Sequence, residues 1–501
     1  MLLLPPLFLS PLTCYGIHNN SHIPQSPFAI LRFPSHPNPP KAARQLISRS
    51  ILSSAIYELW GTAQHSPPQS DTSALYTLLH QDVRARSSHL WPTYHHSSFR
   101  FTLDSFQGSH TTAQQRDIIE TFSYTNFAGR IRMSDPDQKF VVFETFHLND
   151  AEPHALHLGR WIADSGRKAI NKYNLKKRSY IATTSMDAEL SLVTANLAHA
   201  AEGKLAYDPF VGTGSFPLAC AHFGAGVFGS DLDGRSIRGK GVRSVKGNFV
   251  QYGTLGRYLG GVVADLTNSP LRLPLTTPSS GTSSRFLDAI LADPPYGVRE
   301  GLKVLGSTKV ALQEVVLLQD GSPAHLSDTY VPPKRAYSFT RMLDDVLDFA
   351  ALGLVDGGRL CMWMPVAGAV GGEEGGGEEA EGPESDGGGD RERDRKIWND
   401  RNPDVLDKEY TIPSHPALQL VSECTQHFNK WSRRLLTYRR IPDAAVDTDA
   451  LQAYRTQRLE KDNTTLERGT ADSMNEFRRK YFQGFRDPEV PGKFERLPRT
   501  Y

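Results

Sequence analysis

Acidic residues flank a glycine-rich turn in residues 207–238, which read YDPFVGTGSFPLACAHFGAGVFGSDLDGRSIR. Asp208 follows a short predicted strand, and Gly212 and Gly214 then make a tight turn. The backbone can approach a ligand closely there because no Cβ atoms intervene. A helix is predicted after the turn, and Asp231 stands at the end of the strand that follows it. Strand, glycine turn, helix, strand and acid form the nucleotide-binding half of a doubly wound parallel sheet.

The spacing of this turn argues against a dinucleotide. A G-x-G-x-x-G fingerprint would need a third glycine where the chain has Pro217. A ligand with an adenosine ribose and no phosphate fits better, because Asp231 can accept both ribose hydroxyls and Asp208 can take the ammonium of an amino-acid group. S-adenosylmethionine has both parts. Taken alone, the stretch is also compatible with a glycine turn and a surface aspartate in an unrelated α/β protein.

A second motif, D-P-P-Y, begins at Asp293 and follows a hydrophobic predicted strand. The Asp293 carboxylate and the Pro294 carbonyl can each accept an N–H bond from an exocyclic amine. Pro294 and Pro295 stiffen the loop that aims these acceptors, and Tyr296 offers a face on which a flipped base can stack. By itself the tetrapeptide is also typical of a rigid turn after a buried strand. In this order the two motifs resemble those of class I methyltransferases that modify an exocyclic amine of a nucleobase.

The rest of the chain must supply the elements that position these motifs. Upstream, a mixed α+β unit is predicted from strands at residues 28–33, 98–103 and 139–144 and helices at residues 42–59, 75–83 and 114–122. A helix over residues 185–201, N-capped by Ser185, leads into the glycine turn. Downstream, a Rossmann-like sheet is predicted from a strand at residues 260–265, a helix at 337–354, a strand at 359–365 and a hairpin built from 418–423 and 433–438.

Seven cofactor-binding residues are predicted around the glycine turn and the following strand ends: Asp208, Phe210, Gly212, Gly214, Asp231, Asp233 and Asp265. In this fold the acid after the third strand usually accepts a hydrogen bond from the adenine amino group, which makes Asp265 the candidate for that role. The catalytic residues predicted are Asp293, Pro294, Pro295 and Tyr296.

A basic segment precedes the glycine turn and is interleaved with Trp161, Tyr173 and Tyr180. Its cationic residues are Arg160, Arg167, Lys168, Lys172, Lys176, Lys177 and Arg178. Basic side chains with aromatic neighbours suit a nucleic-acid backbone, so we predict that these residues bind RNA. A solvated helix face followed by a linker would have a similar composition.

Length and composition indicate a globular protein with two or three domains. The chain has 501 residues, 39% hydrophobic and 22% charged, and a formal net charge of +1, so any basic surface must be local. Its four cysteines form no C-x-x-C and no cluster with histidine, which disfavours disulfides and a zinc site. The apolar first 16 residues lack a basic region and are broken by prolines, which is atypical of a signal peptide. We therefore expect a cytoplasmic protein.

Larger segments of the chain resemble the catalytic subunit family of eukaryotic tRNA (guanine-10-N2)-methyltransferases. The matching segments are SRSILSSAIYELWG, LKKRSYIATTSMDAELSLVTAN, the D-P-F-V-G-T-G block, ADPPYGVREG and KWSRRLLTYRR, within residues 27–440. The resemblance implies an N-terminal RNA-binding domain of THUMP type, a Rossmann-like catalytic domain, S-adenosylmethionine as methyl donor, tRNA as substrate and a small zinc-binding activator subunit as partner. The leaving group of a methylsulfonium carries its own positive charge, so no metal is predicted in this chain.

The resemblance divides the chain into four parts: an atypical or disordered stretch at residues 1–26, a THUMP-type region at 27–170, a methyltransferase domain at 171–440 and a charged, partly helical tail at 441–501. Two features depart from the family. Residues 1–26 do not look like the strand-and-helix segment that usually precedes the rest, and residues 366–396 form a foreign insert of glycine and glutamate. The insert has almost no apolar content and is predicted to be a disordered loop.

Other functions share some of these features. Methylation of adenine N6 in DNA also uses D-P-P-Y, but it leaves the basic segment and the N-terminal unit without a role. Methylation of protein glutamine prefers asparagine where this chain has Asp293. The chain could also be a non-catalytic RNA-binding protein with a degenerate methyltransferase fold. The presence of the expected site residues argues against that: Asp208, Gly212, Gly214, Asp231 and Asp293.

Deletion of residues 371–389, within the insert, tests the predicted loop. The deletion removes no predicted core, so the free energy of unfolding should change by less than about 1 kcal/mol. Thermal melts of the deleted and full-length chains give the comparison. A large drop in melting temperature would show that the insert packs against the fold.

Overall fold

The computed structural model describes most of the chain in two compact units. The described residues are 2–3, 18–21, 27–33, 37–64, 72–273, 285–298, 302–307, 314–327, 330–367, 411–428, 431–464, 475 and 477–478. The first unit holds residues 1–178 and 186–196, and the second holds residues 179–185 and 197–501. Nearly all of the glycine- and glutamate-rich insert lies outside the described residues, as does most of the chain after residue 464.

The first unit is an α+β fold around a seven-stranded sheet. Its elements are β1 (Leu2–Leu3), β2 (His18–Ser21), β3 (Phe28–Arg32), α1 (Pro39–Arg49), β4 (Ala55–Gln64), α2 (Thr72–Ser87), α3 (Trp91–Tyr94), β5 (Phe99–Phe106), α4 (Thr112–Glu120), β6 (Gln138–Thr145), β7 (Ala155–Asp164), α5 (Lys168–Lys172) and α6 (Ala188–Leu197). The strand order is β2-β3-β1-β4-β7-β6-β5. Only β5 and β6 pair in parallel among these neighbours.

The helix predicted over residues 42–59 is wrong in its second half. The helix α1 begins after Asn38, whose side chain accepts a hydrogen bond from the Lys41 amide at 3.0 Å, and prolines occupy its first turn. It ends at Arg49, and the next residue, Ser50, is extended at φ −69° and ψ 127°. The apolar residues that follow belong to β4, which pairs along its length with β7. Since short apolar runs fit helix and strand periods alike, spacing alone could not separate them.

Two short strands lie in the N-terminal stretch for which the sequence predicts no periodic structure. The strand β1 pairs with β3 and β4, and β2 pairs with β3. The other residues of 1–26 lie outside the described residues.

The second unit is a Rossmann-like α/β fold, which confirms the predicted fold class. Its elements are β8 (Leu205–Asp208), α7 (Ser215–His222), β9 (Gly226–Asp231), α8 (Gly234–Arg238), α9 (Val245–Gln251), β10 (Tyr258–Val263), β11 (Leu287–Ala292), β12 (Lys303–Leu305), β13 (Lys334–Ala336), α10 (Phe339–Gly353), β14 (Leu354–Ala367), β15 (Leu418–His427), β16 (Trp431–Arg440) and α11 (Thr448–Thr464). The main sheet has the order β10-β9-β8-β11-β14-β16-β15. Its first five strands pair in parallel, and β16 is antiparallel to both of its neighbours.

A buried apolar cluster holds the centre of this sheet against α10. Leu347 of the helix is fully buried in the same cluster as Ile290 of β11, Leu360 of β14 and Leu436 of β16. Burial of such side chains is the main favourable contribution to folding. The cluster therefore fixes the strands whose ends carry the predicted site.

The helix α6 begins later than predicted and has a different cap. The Asp187 carboxylate accepts a hydrogen bond from the Glu189 amide at 2.8 Å. Ser185, predicted as the cap, instead accepts from the Ala182 amide and shares a hydrogen bond of 2.7 Å with the Thr213 hydroxyl. Serine and aspartate are both strong capping residues, so the sequence allowed either position.

No helix in the described ranges is long and apolar enough to cross a membrane.

Candidate active site

Three predicted acids lie at the ends of adjacent parallel strands. In the sheet Asp208 is opposite Gly229, and Ile290 is opposite Tyr207. Asp208 and Asp231 end β8 and β9, and Asp293 directly follows β11. Because parallel strands bring their carboxyl ends to one edge, these carboxylates face a shared region, where open α/β sheets bind their ligands.

The glycine turn is tied to Asp231 by backbone hydrogen bonds. One carboxylate oxygen accepts from the Gly212 amide at 2.9 Å, and the other accepts from the Asp233 amide at 2.8 Å. Gly212 and Gly214 have φ values of +47° and +84°, which favour glycine. A Cβ atom added at Gly214 would lie 2.9 Å from a methyl group of Val245. The turn thus needs glycine for both its backbone conformation and its packing.

Asp208 is buried, with 3% of its surface exposed. One of its oxygens accepts from the Phe210 amide at 2.9 Å. Burial raises the pKa of Asp208 well above its usual range, and the nearby charges of Asp231 and Asp293 raise it further. A cation placed against this carboxylate would stabilise its charged form.

Asp233 and Asp265 both start short helices. Asp233 caps α8 through the Arg235 amide and forms an ion pair of 2.8 Å with the Arg235 guanidinium, and that hydrogen bonding lowers the pKa of Asp233. Asp265 accepts from the amides of Thr267 and Asn268, and from the Leu305 amide at 2.6 Å. Both side chains hold local structure at the edge where the cofactor is predicted to bind.

The D-P-P-Y motif forms a loop whose two functional side chains contact each other. The Tyr296 hydroxyl donates a hydrogen bond of 2.8 Å to the Asp293 carboxylate. Burial raises the pKa of Asp293 to about 6, while that hydrogen bond and the positive charge of Arg433 lower it. Pro295 is exposed, whereas Pro294 is buried.

Arg433 and its aromatic neighbours were missed as site residues by sequence reasoning. Arg433 lies on β16, with its guanidinium 4.6 Å from the Trp363 ring centroid and hydrogen-bonded to Gln426 at 2.8 Å. Trp431, at the start of the same strand, meets the Tyr296 ring edge to face at 6.1 Å. Both residues lie in the segment KWSRRLLTYRR, whose local pattern indicates a hairpin strand and gives no separate signal of a site.

The predicted RNA-binding residues fall into two groups. Arg167, Lys168, Lys172, Lys176 and Lys177 are exposed. Arg160 is buried in the sheet of the first unit, where it donates to Glu58 at 2.9 Å and lies 4.5 Å from the Tyr94 ring centroid. Arg178 is also buried and donates to the Tyr173 carbonyl at 3.4 Å.

Among the described residues, no group of three or more histidine, cysteine or acidic side chains is arranged to hold a metal ion.

Three features together define a class I methyltransferase. They are the strand order with an antiparallel β16, the glycine turn after β8 and the D-P-P-Y loop after β11. In the first unit, residues 9–167 match the family described as the Tmrp11 THUMP N-terminal domain. The tRNA (guanine(10)-N(2))-methyltransferase of Saccharomyces cerevisiae is 35% identical over 92% of this chain and 91% of its own length. The Schizosaccharomyces pombe protein of the same name is 36% identical over 96% of this chain and 85% of its own length. The chain belongs to the tRNA (guanine(10)-N(2))-methyltransferase family, as its motifs predict.

Among solved structures, TrmN from Thermus thermophilus is 15% identical, covers 82% of this chain and 89% of its own, and has a TM-score of 0.34.

The raised pKa of Asp208 predicts a pH-dependent effect of Asp208→Asn. Between the usual carboxyl pKa of 3.8 and the higher folded-state value, the folded protein holds a proton that the unfolded chain has released. The contribution of Asp208 to stability therefore falls as pH rises through this window. Asparagine avoids the cost of a buried charge, and its side-chain oxygen can still accept from the Phe210 amide. The variant should melt at a higher temperature than the wild type at pH 7, and the difference should shrink towards pH 4.

Thermal melts without cofactor between pH 4 and pH 8 measure this effect. Exposed Asp449, at the start of α11, supplies the matched control Asp449→Asn. An advantage of Asp208→Asn that grows towards acid pH would contradict the interpretation.

Proposed function

We propose that this chain transfers the methyl group of S-adenosylmethionine to the N2 amine of guanosine 10 in tRNA. The observation that carries the proposal is the Asp293 carboxylate, held by Tyr296 beside the edge that bears Asp208 and Asp231. Family membership supports the choice of amine and nucleotide.

The guanine amine is a poor nucleophile because its lone pair is delocalised into the ring. Asp293 and the Pro294 carbonyl would accept its two N–H bonds and turn the nitrogen towards tetrahedral geometry. These bonds strengthen as the nitrogen gains positive charge, so they stabilise the transition state more than the bound substrate. Tyr296 would contact the extruded base while its hydroxyl orients Asp293.

The residues of the glycine edge fit the cofactor. S-adenosylmethionine supplies the methyl group as an electrophilic methylsulfonium. Each Asp231 oxygen already accepts one backbone N–H and keeps a second lone pair for a ribose hydroxyl. Asp208 would receive the ammonium group, which offsets the cost of its burial. Asp265 would face the adenine, and Phe210, Gly212, Gly214 and Asp233 would complete the binding surface.

The first unit would bind tRNA through the exposed residues of the basic segment. Arg167, Lys168, Lys172, Lys176 and Lys177 can reach phosphates because their side chains are exposed. The THUMP match of this unit supports the same role. Arg160 and Arg178 would act indirectly, by holding the fold beneath this surface.

A partner would cover the open edge of the second sheet. The edge strand β10 exposes Leu259, Val262 and Val263 by 65%, 39% and 45%. An exposed apolar edge promotes aggregation unless another chain pairs with it. Strand addition by a small zinc-binding activator subunit, the partner implied by the family resemblance, would cover these residues.

A reducing compartment suits the cysteines. Cys220 and Cys361 are buried and Cys424 is partly buried, and none of the three forms a disulfide among the described residues. We therefore place the enzyme in the cytoplasm.

Two substitutions separate chemistry from cofactor binding. The Asp293→Ala enzyme should bind S-adenosylmethionine and tRNA nearly normally, but its single-turnover rate should fall by about 10²–10³, roughly 3–4 kcal/mol, because one positioned electrostatic contact is lost. The Asp231→Ala enzyme should first show a higher dissociation constant for the cofactor. Calorimetry, tRNA gel shift and single-turnover transfer measure these quantities, with exposed Asp449→Ala as the control.

A tRNA transcript with inosine at position 10 tests the acceptor atom, because inosine lacks only the N2 amine. The wild-type enzyme, with its activator subunit present, should methylate the guanosine transcript and leave the inosine transcript unmodified.

Two outcomes would contradict these predictions. Near-normal turnover of Asp293→Ala at saturating cofactor and tRNA would refute the mechanism. Methylation of adenosines would refute the assigned acceptor.

The edge-strand proposal predicts a defect confined to subunit association. The double variant Leu259→Lys/Val262→Lys should lose co-purification with the activator subunit, whereas Leu459→Lys, at an exposed leucine of α11, should retain it. Size-exclusion chromatography of co-expressed chains gives the comparison. An isolated wild-type chain that is monomeric, soluble and fully active would contradict the need for a partner.

A further inference from the structure

Three residues from the C-terminal part of the chain pack against the D-P-P-Y loop, residues 293–298. Asn475 and Phe477 are buried, with 3% and 2% of their surfaces exposed, and Arg478 is partly buried. We call Asn475, Phe477 and Arg478 the anchor residues. They lie about 180 positions along the chain from the loop they contact.

Two of the anchor residues bind the loop backbone. The Asn475 side-chain amide donates a hydrogen bond of 2.9 Å to the Tyr296 carbonyl. The Arg478 guanidinium donates to the Gly297 carbonyl at 2.5 Å and to the Val298 carbonyl at 2.6 Å. Three successive loop carbonyls are thereby bound by side chains outside the loop.

The anchor residues are themselves ordered by one another. The Asn475 side-chain oxygen accepts from the Arg478 amide at 3.0 Å, which leaves its NH₂ group directed at the Tyr296 carbonyl. Phe477 lies 6.2 Å from the Tyr296 ring centroid and 6.0 Å from that of Trp431. The Tyr296 ring therefore packs against both an anchor residue and Trp431 of β16.

Gly297 allows this close approach. Its φ of +75° lies in the region that favours glycine, and a Cβ atom added there would lie 2.5 Å from the Asn475 side-chain nitrogen. The loop and the anchor residues therefore fit each other only with glycine at this position.

We propose that Asn475 and Arg478 are positioning residues for methyl transfer, which act by fixing the backbone of the D-P-P-Y loop. Tyr296 connects the loop backbone to the Asp293 carboxylate, because its carbonyl accepts a hydrogen bond from Asn475 while its hydroxyl donates to Asp293. Prolines stiffen the first half of the loop, and the anchor residues fix the second half. Small displacements of a reacting group cost large factors in rate, so loss of this support should slow the chemical step.

The test compares full-length Asn475→Ala, Arg478→Ala and Arg478→Lys enzymes with the wild type. Exposed Arg455, on α11, gives the matched control Arg455→Ala. Both alanine variants should lose on the order of 10- to 100-fold in single-turnover rate at saturating cofactor and tRNA, with dissociation constants and melting temperature unchanged. Lysine can still donate to the loop carbonyls, so Arg478→Lys should fall between Arg478→Ala and the wild type.

Hydrogen exchange provides a readout that needs no substrate. Peptides covering residues 287–298 should exchange faster in both alanine variants, while peptides from the first unit should not change. The expected loss of rate rests on the proposed function, whereas the expected change in hydrogen exchange does not. The exchange measurement therefore tests the anchoring separately from the function. A wild-type enzyme inactive on tRNA would refute the function, whereas unchanged loop exchange would refute the anchoring.

The kinetic outcomes are equally decisive. Rates within twofold of the wild type, or rate losses matched by equal losses of cofactor affinity or thermal stability, would overturn the positioning role. If Arg478→Ala fails to fold, Asn475→Ala and Arg478→Lys decide the question by the same criteria.

Discussion

The parallel pairing of β8 with both β9 and β11 is the constraint on which the site depends. It brings three carboxylates to one edge, close enough for Asp231 and Asp293 to raise the pKa of Asp208. Burying like charges together is unfavourable, and local hydrogen bonds offset only part of that cost. The apolar cluster between α10 and the central strands supplies stability beneath the edge. The folded sheet can therefore hold three carboxylates close together, which a short peptide could not do.

Helices and strands with a clear hydrophobic period could be predicted from the sequence. Strands that bury polar residues bonded to distant parts of the chain could not. The helix predicted at residues 337–354 is α10, and the predicted closing hairpin is β15 and β16. The strand β7 was missed, because it buries His157 and Arg160 among its apolar residues. His157 bonds to the Thr62 hydroxyl at 2.9 Å, and Arg160 bonds to Glu58. Partners that lie about a hundred residues away leave no trace in a local pattern.

The same limit applies to the site. The glycine turn and D-P-P-Y are contiguous, so their residue types and spacing mark them as candidate site residues. Arg433 and Asn475 reach the loop only through the fold, from β16 and from near the C terminus. In isolation, an arginine on a strand and an asparagine in a charged tail are ordinary surface residues. A short motif can thus identify a reaction while the groups that orient it remain unseen.

The ionisation of Asp293 shows why those distant groups matter. Burial alone would favour the neutral acid, which would offer a donor where the mechanism needs an acceptor. The Tyr296 hydrogen bond and the Arg433 charge oppose burial and leave the pKa at about 6. In the proposed mechanism, a pKa near this value would leave Asp293 mainly ionised at pH 7, so that it would accept an N–H bond from the amine. In the same mechanism, the ionised carboxylate would also take the proton that the methylated nitrogen must lose. One carboxylate would then orient the amine before transfer and accept its proton afterwards, provided that residues outside the motif hold Tyr296 in place.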